Sequence, residues 1–247
     1  MGGLVFLFGL LMGSFYNVVA FRLLKGQSPV YPPSHCPACQ HRLGFWDLIP
    51  LLSYFLLKGK CRYCQASISP LYPLGEGLCA LSFYLVYQKT GLSRELVTGW
   101  ALASLLVLSV LTDLRQKIIL DKITFPMLAL ILLLRLWTGE GPWWWYPLGG
   151  LVGAGVLGSI AALSRGGLGG GDVKLYLPVG VALGPGLTLL SISLAALSGA
   201  LLGGLLMAMG RIRRRDPLPF APFIWLGTMV AYLYGTELWD WYSHLWS

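Results

Sequence analysis

The stretch Gly169-Gly170-Gly171-Asp172-Val173-Lys174, followed by residues 175–210 without one charged side chain, decides how this chain folds. An uncharged run of that length exceeds a single membrane-spanning helix, which needs about 20 residues. Gly184-Pro185-Gly186 offers a turn inside it. Asp172 then stands at a membrane edge beside flexible backbone, and a second carboxylate, Asp113, lies fifty-nine residues upstream. Carboxylates in or at the edge of a bilayer are costly, so each is a functional candidate.

The rest of the composition agrees. Of 247 residues, 56% are hydrophobic and only 11% charged, with a mean hydropathy of +0.68. Soluble domains carry about 25% charge, so the expected class is an all-α polytopic membrane protein. Charges and Gly/Pro breaks divide the chain into about eight apolar segments: 2–21, 72–88, 96–112, 122–138, 147–164, 169–184, 187–209 and 219–236. The first has no basic residues ahead of it; Arg22 and Lys25 follow it, so it reads as a span and not as a cleavable signal.

Charge distribution orients these segments. With the N-terminus outside, the internal stretches 22–71, 113–122, 165–174 and 210–218 hold 15 of the 18 basic residues, leaving Lys89, Arg94 and Arg135 elsewhere. Trp143, Trp144, Trp145 and Tyr146, and later Trp239, Trp241 and Trp246, fall at the outer interface. The net charge of +8 therefore reflects topology and requires no nucleic-acid partner. The expected organisation is a first transmembrane helix (1–21), a cytoplasmic insert (22–71), two further spans (72–112), a membrane core (113–236) and a short extracytoplasmic tail (237–247).

Asp113 and Asp172 both fall at cytoplasmic ends of spans, separated in sequence by one helical hairpin. If they meet, like-charge repulsion favours one shared proton. The unprotonated acid can then take a proton from water attacking a peptide carbonyl, while its partner polarises that carbonyl and protonates the leaving amine. Against this stand plainer readings. Asp113 and Asp121 would be solvated loop acids neutralised by neighbouring Arg and Lys, and Asp172 a helix N-cap after the glycines Gly166, Gly167, Gly169, Gly170 and Gly171. The histidines, His35, His41 and His244, offer no competing serine–histidine site.

The insert carries Cys36-Pro37-Ala38-Cys39 and, 21 residues on, Cys61-Arg62-Tyr63-Cys64. Two chelating pairs at this spacing suit a closed, structural four-thiolate zinc site that would hold together an insert too small for much core. Redox or unliganded thiol pairs, or an iron–sulfur centre, are the other readings, and His35 and His41 are alternative ligands. Cys79, in an apolar run, reads as a small buried hydrophobe. Asp47-Leu48-Ile49-Pro50 would cap or join a short helix. Glu76, beside a membrane entry, is either a functional acid or a locally paired one.

These residues together resemble the bacterial type IV prepilin leader peptidases with an N-terminal methyltransferase region, membrane aspartyl proteases of the Gly-x-Gly-Asp class. The resemblance runs from Gly13-Ser14-Phe15-Tyr16-Asn17-Val18 through the cysteine pairs, Leu52-Ser53-Tyr54 and Ile68-Ser69 to Asp113–Asp121. It continues through Gly169-Gly170-Gly171-Asp172-Val173-Lys174 and Pro219-Phe220-Ala221-Pro222-Phe223. It implies that Asp113 and Asp172 are catalytic, supported by Gly169, Gly171 and Lys174. It further implies a location in the bacterial cytoplasmic membrane, and prepilin or pseudopilin substrates of type IV pilus or type II secretion systems, cleaved after a glycine. S-adenosylmethionine would be the methyl donor for the new N-terminus, with Glu76 tied to that transfer. Leu48, Leu71, Leu120 and Ala221 replace the usual Asn, Arg, Pro and Gly; the first two bear on methyl transfer more than on proteolysis. A peptidase without methyl transfer, a proton- or cation-coupled transporter and an assembly scaffold are the rival functions. The oligomeric state is left open.

Overall fold

A computed structural model describes residues 1–139, 141–163, 169–213 and 218–244. Arg165, Gly166, Gly167, Arg214, Arg215 and Trp246, invoked above, lie outside the described residues. The described chain is helical, with two isolated β-bridges and no extended strand. Its helices are α1 (Gly2–Leu24), the short α2 (Leu52–Leu56), α3 (Leu71–Thr90), α4 (Glu95–Gln116), α5 (Asp121–Thr138), α6 (Trp145–Leu163), α7 (Gly170–Leu183), α8 (Pro185–Ala208) and α9 (Ala221–His244). Each of the eight apolar segments corresponds to one of the long helices. Four of them, α1, α4, α6 and α8, have the length and composition to cross a membrane.

The helix ends follow from local chemistry. Arg22 sits in the last turn of α1 and donates to the carbonyls of Ser28, Pro29 and Pro33, so the helix runs past the expected boundary at residue 21. Gly184 adopts φ +74°, ends α7 and leaves Pro185 as the first residue of α8, so the expected turn lies at this glycine. α9 runs on to His244 and takes in part of the expected tail, because no glycine or proline interrupts residues 236–244.

The chain divides into two compact units, Met1–Gly91 and Leu92–Ser247. In the first, α1 and α3 pack antiparallel: Gly9 meets Ala80, Gly13 meets Glu76, and the Asn17 amide donates to the Tyr72 carbonyl at 2.9 Å. A Cβ on Gly9 would lie 2.6 Å from the Ala80 Cα, and one on Gly13 would lie 2.7 Å from the Glu76 Cα. The Gly-x3-Gly spacing thus lets two backbones touch, which is how helices associate where lipid removes the hydrophobic drive.

In the second unit α4 is the central helix, buried along most of its length and packed against α5, α7 and α9. Near its start the Glu95 carboxylate accepts from Arg135 of α5 and Tyr232 of α9, each at 2.7 Å. Asp113 lies about 27 Å along the axis from that clamp. α6 and α7 meet through glycines; a Cβ on Gly150 would approach the Leu177 carbonyl to 2.9 Å, and one on Gly153 the Tyr176 carbonyl to 2.9 Å.

Gly9→Val is expected to destabilise the protein by about 1–3 kcal/mol through overpacking. Gly77→Ala, facing open space, should be neutral or slightly stabilising. Thermal unfolding of the two variants in detergent checks the difference.

Candidate active site and cysteine cluster

Asp113 does not end a span in solvent. α4 continues one turn past it, and its residue exposure is 6%, so the solvated-loop reading fails. A buried carboxylate needs donors, and these come from the start of α9. The first N–H groups of a helix have no partner within it. Phe220 provides the first accepting carbonyl of α9, for the N–H groups of Phe223 and Ile224. The Ala221 N–H donates to Asp113 Oδ2 at 2.8 Å, and the Phe220 backbone N–H also reaches the carboxyl. Pro222 has no N–H to leave orphaned. Because the contact is made by backbone, alanine in place of glycine at 221 keeps it.

Asp172 is the third residue of α7, not its N-cap, and its residue exposure is 8%. Gly169 is the N-cap, and its backbone N–H bonds back to the Asp172 carboxyl, one half of a capping box. The two flanking glycines have separate tasks. A Cβ on Gly169 would stand 3.2 Å from Asp172 Oδ2, and one on Gly171 would stand 3.1 Å from the Ile119 Cβ. One on Gly170, between them, would meet nothing within 4 Å. The pattern Gly-x-Gly-Asp is thus a clearance for the carboxylate and a clearance for the α4–α5 connection.

That connection is tied again by Lys174, whose Nζ bonds both oxygens of Asp121 at 3.0 and 2.8 Å. The pair is about half exposed, so its contribution is about 0–1 kcal/mol and it serves chiefly to register α7 on α5. Leu120, in place of proline, caps α5 with φ −84°, near the torsion a proline ring would impose. α4 and α7 are in contact, and each carries one of the two buried carboxyls, Asp113 and Asp172.

The first unit holds the cysteines. Each pair forms the same turn: Gln40 N–H bonds the Cys36 carbonyl at 2.9 Å and Cys36 N–H the His41 carbonyl at 3.0 Å. Gln65 N–H likewise bonds the Cys61 carbonyl at 3.0 Å, and Cys61 N–H the Ala66 carbonyl at 2.9 Å. Gln40 and Gln65 both have φ near +58°. The two turns bring the sulfurs of Cys36, Cys39, Cys61 and Cys64 within 4.8 Å of one another, with Cys36 Sγ and Cys64 Sγ 3.8 Å apart. A zinc–sulfur bond of 2.3 Å in a tetrahedron gives an edge of about 3.8 Å, so the cluster fits that ion. The Cys39 backbone N–H holds the Cys36 thiol down at about 7. His35 bonds the Pro33 carbonyl and His41 stacks on Tyr63. Asp47 braces the second turn: it accepts from Arg62 at 2.7 Å, Tyr63 at 3.2 Å and the Gly44 N–H at 3.1 Å. Burial opposes its ionisation, but Arg62 and the other donors hold its carboxyl below the usual carboxylate range.

Glu76 is buried between α1 and the insert. Its Oε2 accepts the Leu51 N–H at 2.8 Å, and the Ser14 hydroxyl also bonds the carboxyl. One turn along α1, buried Asn17 keeps Oδ1 without a hydrogen-bond partner. Cys79 is fully buried against Gly13.

Sequence reasoning named the acids, glycines and cysteines but not Phe220 and Ala221 as the donors for Asp113. The signal available was a proline-bracketed helix start, where free N–H groups favour an anion.

Residues 7–90 match the Bacterial Peptidase A24 N-terminal domain, and residues 100–204 match the Type IV leader peptidase family. The chain is similar to a "Prepilin leader peptidase/N-methyltransferase" of Bacillus subtilis (strain 168), 37% identical over 239 residues, covering 97% of this chain and 96% of the relative. Relatives of the same name in Aeromonas salmonicida (strain A449) and Pseudomonas putida are 34% and 33% identical. They cover 97% and 93% of this chain and 92% and 89% of their own lengths. No solved structure matches the chain.

Zinc analysis of the purified protein is expected to find a single ion per chain. Cys36→Ser or Cys61→Ser should lose most of it and leave residues 30–70 open to proteolysis.

Proposed function

Because this chain belongs to the type IV leader peptidase family and is a peptidase, we propose that it cleaves prepilins and pseudopilins with Asp113 and Asp172. The observation that supports the reading is the two buried carboxyls, Asp113 and Asp172, carried by helices packed against each other. Sharing one proton, the pair works as acid and base together. One carboxylate takes a proton from water as the water oxygen bonds to the scissile carbonyl carbon. The other, protonated, donates to the carbonyl oxygen. Collapse of the tetrahedral intermediate breaks the C–N bond, and the leaving amine takes a proton from the pair. The product is a leader ending in glycine and a pilin with a new N-terminal amine.

The substrate is a chain with a short basic leader ahead of an apolar helix. A scissile bond at that junction lies at the membrane edge, the depth that the sequence assigns to both acids. We place the protein in the bacterial cytoplasmic membrane with eight spans, both termini outside and the acids facing the cytoplasm, on the distribution of basic residues. The cysteine cluster would hold zinc as a structural ion, since four thiolates fill its shell and leave no place for water.

The second reaction is N-methylation of the new terminus. S-adenosylmethionine would supply the methyl group. Glu76 and the free Asn17 Oδ1 are buried acceptors; both suit an ammonium, and the Glu76 carboxylate can take up the proton it releases. Leu48 and Leu71 leave a peptidase without methyl transfer as the alternative, and one assay separates the two.

With a prepilin substrate and S-adenosylmethionine, intact mass should show loss of the leader and gain of one methyl group. Asp113→Asn and Asp172→Asn should each lower cleavage by about 10²–10⁴-fold. Glu76→Gln should cleave normally and abolish the methyl gain. Undiminished cleavage by either aspartate variant would refute the peptidase assignment of the pair. A product never methylated by the unaltered protein leaves a peptidase alone.

A further inference from the structure

Three hydroxyls run as a chain through the interior of the second unit. Tyr176 Oη lies 3.1 Å from Ser191 Oγ, and Ser191 Oγ lies 2.9 Å from Thr228 Oγ1. All three residues are fully buried, and they come from α7, α8 and α9. The reaction described above uses none of them.

The ends of this chain lie on the two helices that govern the acids. Tyr176 follows Asp172 by four residues on α7, so the two share a helix face one turn apart. Thr228 follows Ala221 by seven residues, two turns along the face of α9 whose first N–H holds Asp113. The middle member, Ser191, fixes both ends to α8. Here the backbones are pressed together: a Cβ on Gly227 would stand 2.6 Å from the Ser191 carbonyl oxygen and 2.7 Å from the Ala195 nitrogen. A Cβ on Gly153 of α6, likewise, would crowd the Tyr176 carbonyl oxygen and Thr188.

Apolar packing alone fixes the sliding of one helix past another weakly. A hydroxyl pair holds only within a few tenths of an ångström, and breaking it among apolar neighbours strands a buried polar group. The chain therefore sets the register of α7 against α9 through α8. We propose that Tyr176, Ser191 and Thr228 are positioning residues that set the placement of Asp172 relative to Asp113 for peptide hydrolysis. The proposal rests on the assignment of the two aspartates as the hydrolytic pair.

Steady-state cleavage of a synthetic prepilin-type peptide by the full-length protein in lipid tests it. Tyr176→Phe and Thr228→Val should each lower kcat by roughly ten- to a hundredfold with KM unchanged within about twofold. Thr228→Ser, which keeps the hydroxyl, should restore kcat to near the unaltered value. The double variant Tyr176→Phe/Thr228→Val should be no slower than the slower single variant, since either change already breaks the chain. If Tyr176→Phe does not fold, Ser191→Ala and Thr228→Val carry the same comparison. The proposal is overturned if the hydroxyl-deleting variants keep full kcat while Asp172→Asn is inactive. It is overturned equally if their loss follows the folded fraction and Thr228→Ser does not restore it. Undiminished cleavage by Asp113→Asn or Asp172→Asn would remove the underlying assignment and this proposal with it.

Discussion

The hydrogen bond from the Ala221 N–H to Asp113 Oδ2 is the contact on which the candidate active site depends. A carboxyl in the last turn of a buried helix has neither water nor an apolar refuge, and α9 answers it with the donors that every helix leaves unpaired at its start. The cost of burying one acid therefore decides where α9 must begin. α4 is clamped to α9 at its far end as well, through Glu95 and Tyr232. Held at both ends, α4 and α9 form a frame against which α7 can set Asp172.

α7 is placed by space as much as by attraction. Gly169 and Gly171 are clearances on either side of a position where a side chain would meet open space, and Lys174 and Asp121 register the helix from outside. Residues 169–172 let a helix start against the α4–α5 connection while keeping a carboxyl buried. The first unit solves a different problem. Its insert has little core, and two matching cysteine turns converge on one point where a zinc ion would take the place of a core.

Much of this could be read from the residues alone. Apolar segments bounded by charges and Gly/Pro breaks marked the eight long helices among the described residues, Gly184 announced the turn between α7 and α8, and the cysteine spacing announced the cluster. Other features lacked a local signal. A charge usually closes an apolar run, so Asp113 read as the end of a span when α4 in fact continues to Gln116. Its donors lie 108 residues away in sequence. Glu95 and Arg135, forty residues apart, and Tyr176, Ser191 and Thr228 on three helices are pairings of polar atoms with no repeating spacing. Only the packing of the helices brings them together.

The central claim is that the fold brings Asp113 and Asp172 together as one pair. Thiol bridging tests it most directly, in a chain carrying Asp113→Cys and Asp172→Cys with Cys79 replaced by alanine. A short bifunctional thiol reagent is expected to add once more to the double variant than to the Cys79→Ala parent and leave neither new thiol open to maleimide. Each single variant should take the reagent without a bridge. Two independent additions in the double variant would contradict the pairing.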